Sequence, residues 1–312
     1  MCLLRRASGR ISFRGLLIDT DQRVLEFRRK VAMVFQEPLL FDTTVHENVA
    51  SGLKIRGFSR RETRDRVLRY LERFKLSHMA QRHARKLSGG EARRVSLARA
   101  FAVEPEMILF DEPFANLDPP TRQALSEDME HIIRETGISA VLVTHDQSEA
   151  LRLSDRIVVM KGGTIVQSGT PIEVMNIPAN EFVASFVGME TILEGTVTEN
   201  RGRELSIAVA GREIRAVGDV SIGQKVYCGI RPENVTIDVE DPADNTNARN
   251  VFPAQVVGIA SLGPFLRLAV DCGFPLVACV TRESFAVMEL AEGKEVFASF
   301  KATSVHLIPR GR

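Results

Sequence analysis

An apolar run, Met107–Phe110, leads directly into the carboxylates of Asp111 and Glu112. A run of this length fits a buried strand, and side chains just beyond such a strand lie at the edge where parallel sheets bind their ligands. An aspartate there can hold Mg²⁺, and a second acidic group can orient or deprotonate a water that attacks a phosphate. Taken alone, the two residues fit a polar turn after a buried strand better.

Two more β-type runs end in polar side chains. Lys30–Phe35 leads into Gln36, and Ala140–Thr144 leads into His145 and Asp146. Each of these residues alone is more typical of a satisfied strand boundary. In this order and spacing, the polar strand ends are hard to obtain by chance.

The first part of the chain, residues 10–169, alternates strand-like runs with helical patterns. This alternation predicts a mostly parallel α/β sheet flanked by helices. One helix is expected to open at a capping box formed by Ser59 and Glu62, and another is expected to follow Gly90. A hairpin is predicted over 156–167.

After about Phe186 the pattern changes to short β-type runs separated by Gly, Pro, Asn and Asp, which predicts a small all-β barrel. The polar stretch Asp241–Asn250 is expected to divide it into two similar halves, 187–240 and 251–312, although no sequence repeat relates them. The predicted strands are Ile192–Thr198, Leu205–Val209, Glu213–Ala216, Lys225–Ile230, Val235–Val239, Ala254–Ile259, Phe265–Val270, Leu276–Val280 and Glu295–Lys301.

Composition excludes several classes of protein. The balance of 41 Lys+Arg against 40 Asp+Glu leaves no electrostatic footprint for nucleic acid. No apolar run is long enough to cross a bilayer, and the first residues do not form a secretion signal, so an intracellular protein is expected. The cysteines fit neither a disulfide framework nor a zinc site and are expected to be buried small apolar residues: Cys2, Cys228, Cys272 and Cys279.

The segment Leu87-Ser88-Gly89-Gly90-Glu91 places a hydroxyl and two glycines before a helix, where free N–H groups can bind phosphate. A loop capped by Ser88 is the alternative. With this segment, residues 9–185 resemble the nucleotide-binding subunit of an ABC transporter. The matching motifs are the Q-loop (Gln36), the signature motif (87–91), the Walker B pair (Asp111, Glu112), the D-loop (Asn116-Leu117-Asp118) and the switch histidine (His145).

The resemblance implies a role for each matching residue. Asp111 and Gln36 would help to place Mg²⁺, Glu112 would position the attacking water, and His145 would contact the γ-phosphate of ATP. The residues from Ser88 to Glu91 would touch ATP held by the opposite subunit of an ATPase dimer. The implied nucleotide-binding residues are Gln36, Ser88, Gly89, Gly90, Glu91, Asp111 and Asp118.

The segment after Gln36, through Phe41 and Asn48, is similar to the surface that meets the membrane subunits in this family. The alternative is a surface loop followed by an amphipathic helix. The resemblance implies a peripheral protein on the cytoplasmic face of the membrane. Its partners would be permease subunits and, indirectly, an external substrate-binding protein.

The phosphate-binding Walker A motif, Gly-x4-Gly-Lys-Ser/Thr, does not occur in the sequence. The only Gly-Lys pair, Gly293-Lys294, precedes Glu295 in the β-rich part. In the family this loop lies upstream of a segment like Ser8–Ile11, so the ATPase domain is expected to be incomplete at its N-terminus and to bind ATP poorly by itself. A wrong start or a truncated gene is the favoured explanation, because the downstream motifs are intact. A degenerate subunit that offers Ser88–Glu91 to a partner is the other.

The segment 229–233, Gly-Ile-Arg-Pro-Glu, resembles the OB-like TOBE domain of importer ATPases. Further stretches are similar to small molybdate- and tungstate-binding domains, although Asn247 stands where that family often has serine. Hydroxyls and positive side chains suit a tetrahedral oxyanion. The implied oxyanion residues are Arg249, Thr281, Ser284, Lys301 and Thr303. A barrel that only packs or dimerises is the alternative.

The sequence therefore predicts an ABC ATPase domain over 1–186 and a TOBE-like β-barrel over 187–312. The expected function is ATP hydrolysis that energises an importer for molybdate- or tungstate-type oxyanions. The alternatives are an importer ATPase for a polyamine, sugar or ferric ion, and an oxyanion-binding regulatory protein with a defective ATPase remnant. An ABC-type ATPase acting on DNA or ribosomes is disfavoured by the neutral charge.

Overall fold

A computed structural model describes residues 7–242 and 247–310. The chain divides into two compact units, Met1–Ser154 and Asp155–Arg312. This division falls earlier than the predicted domain boundary after residue 186, which stays a prediction. No helix in the described part of the chain is both long enough and apolar enough to cross a membrane.

The first unit is an α/β structure whose main sheet has three parallel strands in the order β3, β4, β5. Its strands are β1 (Ser12–Phe13), β2 (Leu16–Leu17), β3 (Val31–Val34), β4 (Met107–Asp111) and β5 (Ser139–Val143). Its helices are α1 (Asp21–Lys30), α2 (Val45–Ile55), α3 (Arg60–Arg73), α4 (Gly89–Ala102), α5 (Pro119–Thr136) and α6 (Gln147–Leu153).

Helix capping and the burial of apolar side chains explain where these elements form, and the capping was predicted from the sequence. Helix α3 begins at the expected capping box, in which the Ser59 hydroxyl accepts from the Glu62 N–H at 3.2 Å. Helix α4 buries Leu97 and Phe101, and the Phe101 ring packs at a tilt against Phe110 of β4, with 6.2 Å between ring centroids. These apolar contacts fix α4 against the sheet.

The register of the parallel strands places their carboxyl ends together. Val34 of β3 lies beside Phe110 of β4, and Asp111 lies beside Val143 of β5. The residues that follow each strand therefore meet at one edge of the sheet. The predicted strands at these three places are confirmed.

The second unit is dominated by antiparallel strands. Its strands are β6 (Ile157–Lys161), β7 (Thr164–Gly169), β8 (Thr191–Arg201), β9 (Glu204–Val209), β10 (Arg212–Val217), β11 (Lys225–Ile230), β12 (Thr236–Asp238), β13 (Asn250–Leu262), β14 (Phe265–Asp271), β15 (Pro275–Thr281), β16 (Glu295–Phe300) and β17 (His306–Pro309). Its helices are α7 (Pro171–Asn176), α8 (Glu181–Phe186) and α9 (Arg282–Val287). Strands β6 and β7 form the predicted hairpin.

Two five-stranded sheets exchange their last strands. Their orders are β10-β9-β8-β11-β17 and β12-β16-β13-β14-β15. Cys228 of β11 lies between Leu193 and Leu307, just as Ala298 of β16 lies between Phe252 and Ile237. The registers are thus equivalent, and each sheet takes its fifth strand from the other part of the unit. The two sheets therefore share the same strand pairing, although no repeat is visible in the sequence.

Buried polar side chains join the two sheets. Asn250, at the start of β13, accepts from the Arg215 N–H at 2.7 Å and donates to the Arg215 carbonyl at 2.9 Å. Thr191, at the start of β8, accepts from the Val277 N–H at 3.0 Å. Within the same unit Cys228 and Cys272 are buried, as expected of small apolar residues. Cys279 is half-buried, and Cys2 lies outside the described residues.

Candidate functional site

Three of the predicted site residues are in direct contact at the carboxyl edge of the parallel sheet. Gln36 donates from Nε2 to Glu112 Oε2 at 3.1 Å. The other carboxylate oxygen of Glu112, Oε1, lies 2.9 Å from His145 Nδ1. Glu112 therefore lies between the residues that follow β3 and β5, as the parallel register requires.

The backbone of Glu112 is in the left-handed region, with φ of 43°. This conformation is unfavourable for a residue with a side chain and is concentrated at functional sites. The Glu112 N–H donates to the Val143 carbonyl at 2.9 Å, which extends the pairing of β4 and β5 by one residue. The turn is thus fixed by the neighbouring strand.

The His145 ring is exposed, with 79% of its side chain accessible, whereas 28% of the Glu112 side chain is accessible. The hydrogen bond to Glu112, followed by the charge of Glu112, raises the pKa of His145. The protonated ring is favoured for this reason. The pair can present positive charge on the solvent side and a carboxylate beneath it.

Asp111 ends β4 beside this cluster. Among the described residues no group of three or more His, Cys, Asp and Glu side chains could hold a metal ion alone. Mg²⁺ is usually bound by one or two protein oxygens together with substrate phosphates. The carboxylate of Asp111 and the amide oxygen of Gln36 fit that kind of donor set.

The signature segment forms the start of α4. Ser88 caps the helix, and its N–H donates to Glu91 Oε2 at 2.7 Å while the Glu91 N–H donates back to Ser88 Oγ at 3.3 Å. The hydrogen bonds to Ser88 lower the pKa of Glu91. A Cβ at Gly90 would lie 3.0 Å from Thr121 Cγ2, so glycine allows α4 and α5 to approach closely.

The D-loop turns at Asn116, whose φ of 60° is one that asparagine tolerates. Asp118 then caps α5 by accepting from the Thr121 N–H at 3.1 Å, and this bond lowers the pKa of Asp118. Arg122 on α5 reaches the Leu117 carbonyl at 3.3 Å and Asp146 Oδ2 at 3.4 Å. This arginine connects the D-loop to the residue after the switch histidine.

Sequence reasoning missed Arg122 and a buried arginine on α4, Arg93. Arg93 lies about one helical turn before Leu97 and two turns before Phe101, which are both buried, and Arg93 itself is 3% exposed. The signal that was available is a charged residue one helical turn before the buried Leu97. Its partners could not be read from the sequence, because they are the Phe35 and Gln36 carbonyls in the turn after β3.

The segment that follows Gln36 contains both exposed and buried residues. Phe41 is 55% exposed, and the Arg99 guanidinium lies 5.7 Å from the centroid of its ring. Asn48 is fully buried and holds the Phe41 backbone through both its amide oxygen, at 2.7 Å, and its amide nitrogen, at 3.0 Å. Asn48 thus shapes the loop, and Phe41 lies on its surface.

The residues predicted for an oxyanion lie at different places in the β-rich unit. Thr281 caps α9 and donates from Oγ1 to Ser284 Oγ at 2.9 Å. Lys301 follows β16 and lines a cavity of about 550 Å³ that also contains Glu233 and Asp238. The other four predicted residues do not line this cavity, and Arg249 and Thr303 are exposed. The described residues therefore do not bring the five together in one pocket.

Arg231, in the segment that resembled a TOBE domain, is a structural residue. Its guanidinium donates to the Val187 carbonyl at 2.7 Å and to the Met175 carbonyl at 2.8 Å. His306 bonds the Asn176 carbonyl at 3.0 Å through Nδ1. These bonds attach the segment around α7 and α8 to the residue after β11 and to β17 within the same unit.

The parallel sheet and the polar cluster at its edge define an ABC-type ATP-binding domain, and the same chain carries a β-rich domain. The residue pattern of the ABC transporter family matches residues 1–115, and that of the TOBE domain matches residues 246–307. The chain is 41% identical over 303 residues to the molybdate/tungstate import ATP-binding protein of Pyrococcus horikoshii, covering 96% of this chain and 84% of that protein.

A second import ATP-binding protein and a solved structure are also similar to this chain. The spermidine/putrescine import ATP-binding protein of Roseobacter denitrificans is 38% identical over 288 residues, covering 90% of this chain and 78% of that protein. The structure of cbiO1 from Clostridium perfringens, part of the ABC transporter complex cbiONQ, has a TM-score of 0.52 and 31% identity, covering 55% of this chain and 70% of that one. The chain belongs to the ABC transporter family, among the ATPases of importers.

Proposed function

We propose that this chain is the ATP-hydrolysing subunit of an importer that carries molybdate or tungstate. The contact of Gln36, Glu112 and His145 at one sheet edge carries the proposal for ATP hydrolysis. The oxyanion is proposed from the 41% identity to a molybdate/tungstate import ATP-binding protein. An importer of another solute, such as a polyamine, a sugar or ferric ion, is the second candidate, because a spermidine/putrescine relative is 38% identical.

The residues at the sheet edge divide the chemistry between them. Asp111 and Gln36 supply oxygen ligands for Mg²⁺, which neutralises phosphate charge when bound. The hydrogen bond from Gln36 to Glu112 uses Nε2, so Oε1 of Gln36 is available for this role. Glu112 orients the attacking water and accepts its proton. His145, whose ring is exposed and whose protonated form is favoured, contacts the γ-phosphate.

The signature segment serves the ATP of a second ATPase subunit. Ser88 and Gly89 are exposed at the N-terminus of α4, where backbone N–H groups and the helix dipole attract phosphate. Asp118 and the D-loop lie beside them, since Gly90 touches Thr121 of α5. The working unit is a dimer of ATPase subunits, formed either by two copies of this chain or by this chain and a related one.

The 312 residues contain no phosphate-binding loop of the Walker A type. Hydrolysis at Glu112 requires such a cradle for the β- and γ-phosphates. Either the source of the cradle is additional chain joined to this sequence in the cell, or this chain is a degenerate subunit that offers Ser88–Glu91 to the ATP of a partner with its own cradle. The intact mass of the protein from its own cells separates the two, because these 312 residues account for 34.6 kDa. A larger mass supports the first explanation, and 34.6 kDa supports the second.

The ATPase attaches to the cytoplasmic face of the membrane through permease subunits. The exposed Phe41, held by the buried Asn48, lies in the segment that makes this contact. The permease subunits receive the solute from an external binding protein. Of the five residues implied for an oxyanion in the β-rich unit, Lys301 lines the cavity and is the one proposed to contact the anion.

The solute is tested by uptake in the native organism. Cells that lack the gene are complemented with the wild-type gene or with Glu112→Gln, and tungsten, molybdenum and spermidine uptake are measured separately. The proposal predicts that only the wild-type gene restores tungsten or molybdenum uptake, and that spermidine uptake is the same in all strains.

The other outcomes identify the alternatives. Loss of spermidine uptake alone would assign the chain to the second candidate. Normal oxyanion uptake with the Glu112→Gln gene, combined with oxyanion binding by the purified chain, would indicate a regulatory protein with an inactive ATPase half. Calorimetric titration of the chain with tungstate, and of Lys301→Gln as a comparison, measures that binding directly.

A further inference from the structure

Arg93 connects the signature helix to the Q-loop. It lies on α4, five residues after Ser88, and its side chain extends under the turn that follows β3. Its Nη1 donates to the Phe35 carbonyl at 2.6 Å, and its Nη2 donates to the Gln36 carbonyl. The guanidinium thus holds both carbonyls of the peptide units that orient Gln36.

The burial of this arginine is unfavourable for stability alone. Arg93 is 3% exposed, and burial lowers the pKa of its guanidinium. Among the described residues no carboxylate pairs with it, and its Nε has no hydrogen-bond partner. Burying a charge without an opposite charge beside it costs free energy. In return, the guanidinium gains two hydrogen bonds to carbonyl groups of the Q-loop.

The neighbouring arginine has a different partner. Arg94 pairs with Asp128 of α5, which also pairs with Lys75 at 2.8 Å. Helix α4 is therefore attached to the Q-loop by Arg93 and to the helix after the D-loop by Arg94. Of these two arginines, only Arg93 contacts a residue of the Gln36, Glu112 and His145 cluster.

We infer that Arg93 is a positioning residue that makes the Q-loop and the signature helix move together. A change in the position of Gln36 is transmitted through the guanidinium to α4 and so to the Ser88–Gly90 segment. This inference rests on the proposed function, in which Gln36 serves one ATP and Ser88–Gly90 serve the ATP of the opposite subunit. The two sites of a dimer are then coupled within each subunit by one side chain.

The first test uses the chain itself and needs no nucleotide. Hydrogen exchange of peptides covering 31–42 and 84–92 is compared in the wild type, Arg93→Met, Arg93→Lys and the control Arg94→Met. We expect Arg93→Met to speed exchange in the 31–42 peptide by about tenfold, because the turn loses both bonds to α4. Arg93→Lys keeps one donor and should show an intermediate effect. Arg94→Met should leave the 31–42 peptide unchanged.

The second test uses the importer purified from native cells, with its phosphate-binding loop present. We expect Arg93→Met to lower kcat for ATP by roughly tenfold or more with little change in KM, since misplacing a reacting group affects the chemical step. Arg93→Lys should restore part of kcat. Arg94→Met should lower the melting temperature without this loss of kcat.

The outcomes separate this inference from the proposed function. Unchanged exchange in the 31–42 peptide of Arg93→Met, or an equal loss of kcat in Arg94→Met, would overturn the positioning role. If Arg93→Met does not fold, Arg93→Lys carries both measurements, and wild-type exchange and kcat in that variant overturn the inference. Absence of ATP hydrolysis in the wild-type importer would refute the proposed function and leave the exchange result valid.

Discussion

The Asn250→Ala substitution tests the bridge between the two exchanged sheets. Asn250 is 2% exposed, and its amide makes two hydrogen bonds with the backbone of Arg215. Alanine leaves the N–H and the carbonyl of Arg215 without these partners. An unsatisfied buried polar group costs about 1–3 kcal/mol. Because β10 is an edge strand, water can compensate in part, and we expect a loss of about 2–4 kcal/mol.

Hydrogen exchange measures this loss where it occurs. In the native state a loss of about 2 kcal/mol corresponds to roughly 30-fold faster exchange. We expect that change in peptides covering 212–217 and in the other strands of the same sheet. The control is Asn247→Ala, which removes an exposed amide close by in sequence. Peptides from α4 and β4 belong to the other compact unit and should keep their exchange rates.

A calorimetric scan gives an independent magnitude. For a unit of this size, 1 kcal/mol shifts the melting temperature by about 2–4 °C, so Asn250→Ala should melt roughly 10 °C lower. A change below about threefold in exchange of the 212–217 peptide would mean that the bridge adds less than about 0.7 kcal/mol. Equal effects of Asn247→Ala and Asn250→Ala would also refute the argument.

Three smaller predictions follow from individual contacts. The raised pKa of His145 should return toward its ordinary value in Glu112→Gln, and NMR titration measures this change. In the wild type, the ion pair with Glu112 stabilises the fold fully below the ordinary histidine pKa of about 6.5, and this stabilisation is lost as pH rises through the raised pKa. An unchanged His145 titration in the variant would refute the pairing. Gly90→Ala should lower the melting temperature, and Thr121→Ser, which removes the methyl group that the new Cβ meets, should recover part of it; no recovery would show that the 3.0 Å approach is unimportant. Burial raises the pKa of Cys228 to about 12, so its thiol should resist Ellman's reagent at pH 8 until the chain unfolds, and rapid labelling of the native protein would contradict its burial.

The sequence was sufficient for the main elements and for the central cluster. Apolar runs that end in Gln36, Glu112 and His145 predict parallel strands, and the register then requires the three side chains to meet. The family resemblance assigned the motifs without the structure. The parallel strands are as predicted because an apolar run fixes where a strand ends, whereas the roles assigned to the motif residues stay predictions.

The remaining features depend on contacts between residues far apart in the chain. Arg93 reads as an ordinary basic residue of a helix, yet it is buried under the Phe35–Gln36 turn. Asn250 reads as part of a polar stretch, yet it joins two sheets. The exchange of β12 and β17 between sheets follows from tertiary packing, which short strand patterns do not specify.

Single-turnover hydrolysis of ATP by the importer purified from native cells tests the central role of Glu112 most directly. The comparison is between wild type, Glu112→Gln and the control Glu104→Gln, which removes a carboxylate that pairs with Arg66 and Arg69 before β4 begins. We expect Glu112→Gln to slow hydrolysis by roughly 100-fold or more and to retain bound ATP in the dimer, with Glu104→Gln near the wild-type rate. Hydrolysis by Glu112→Gln at the wild-type rate would contradict the assignment of this site.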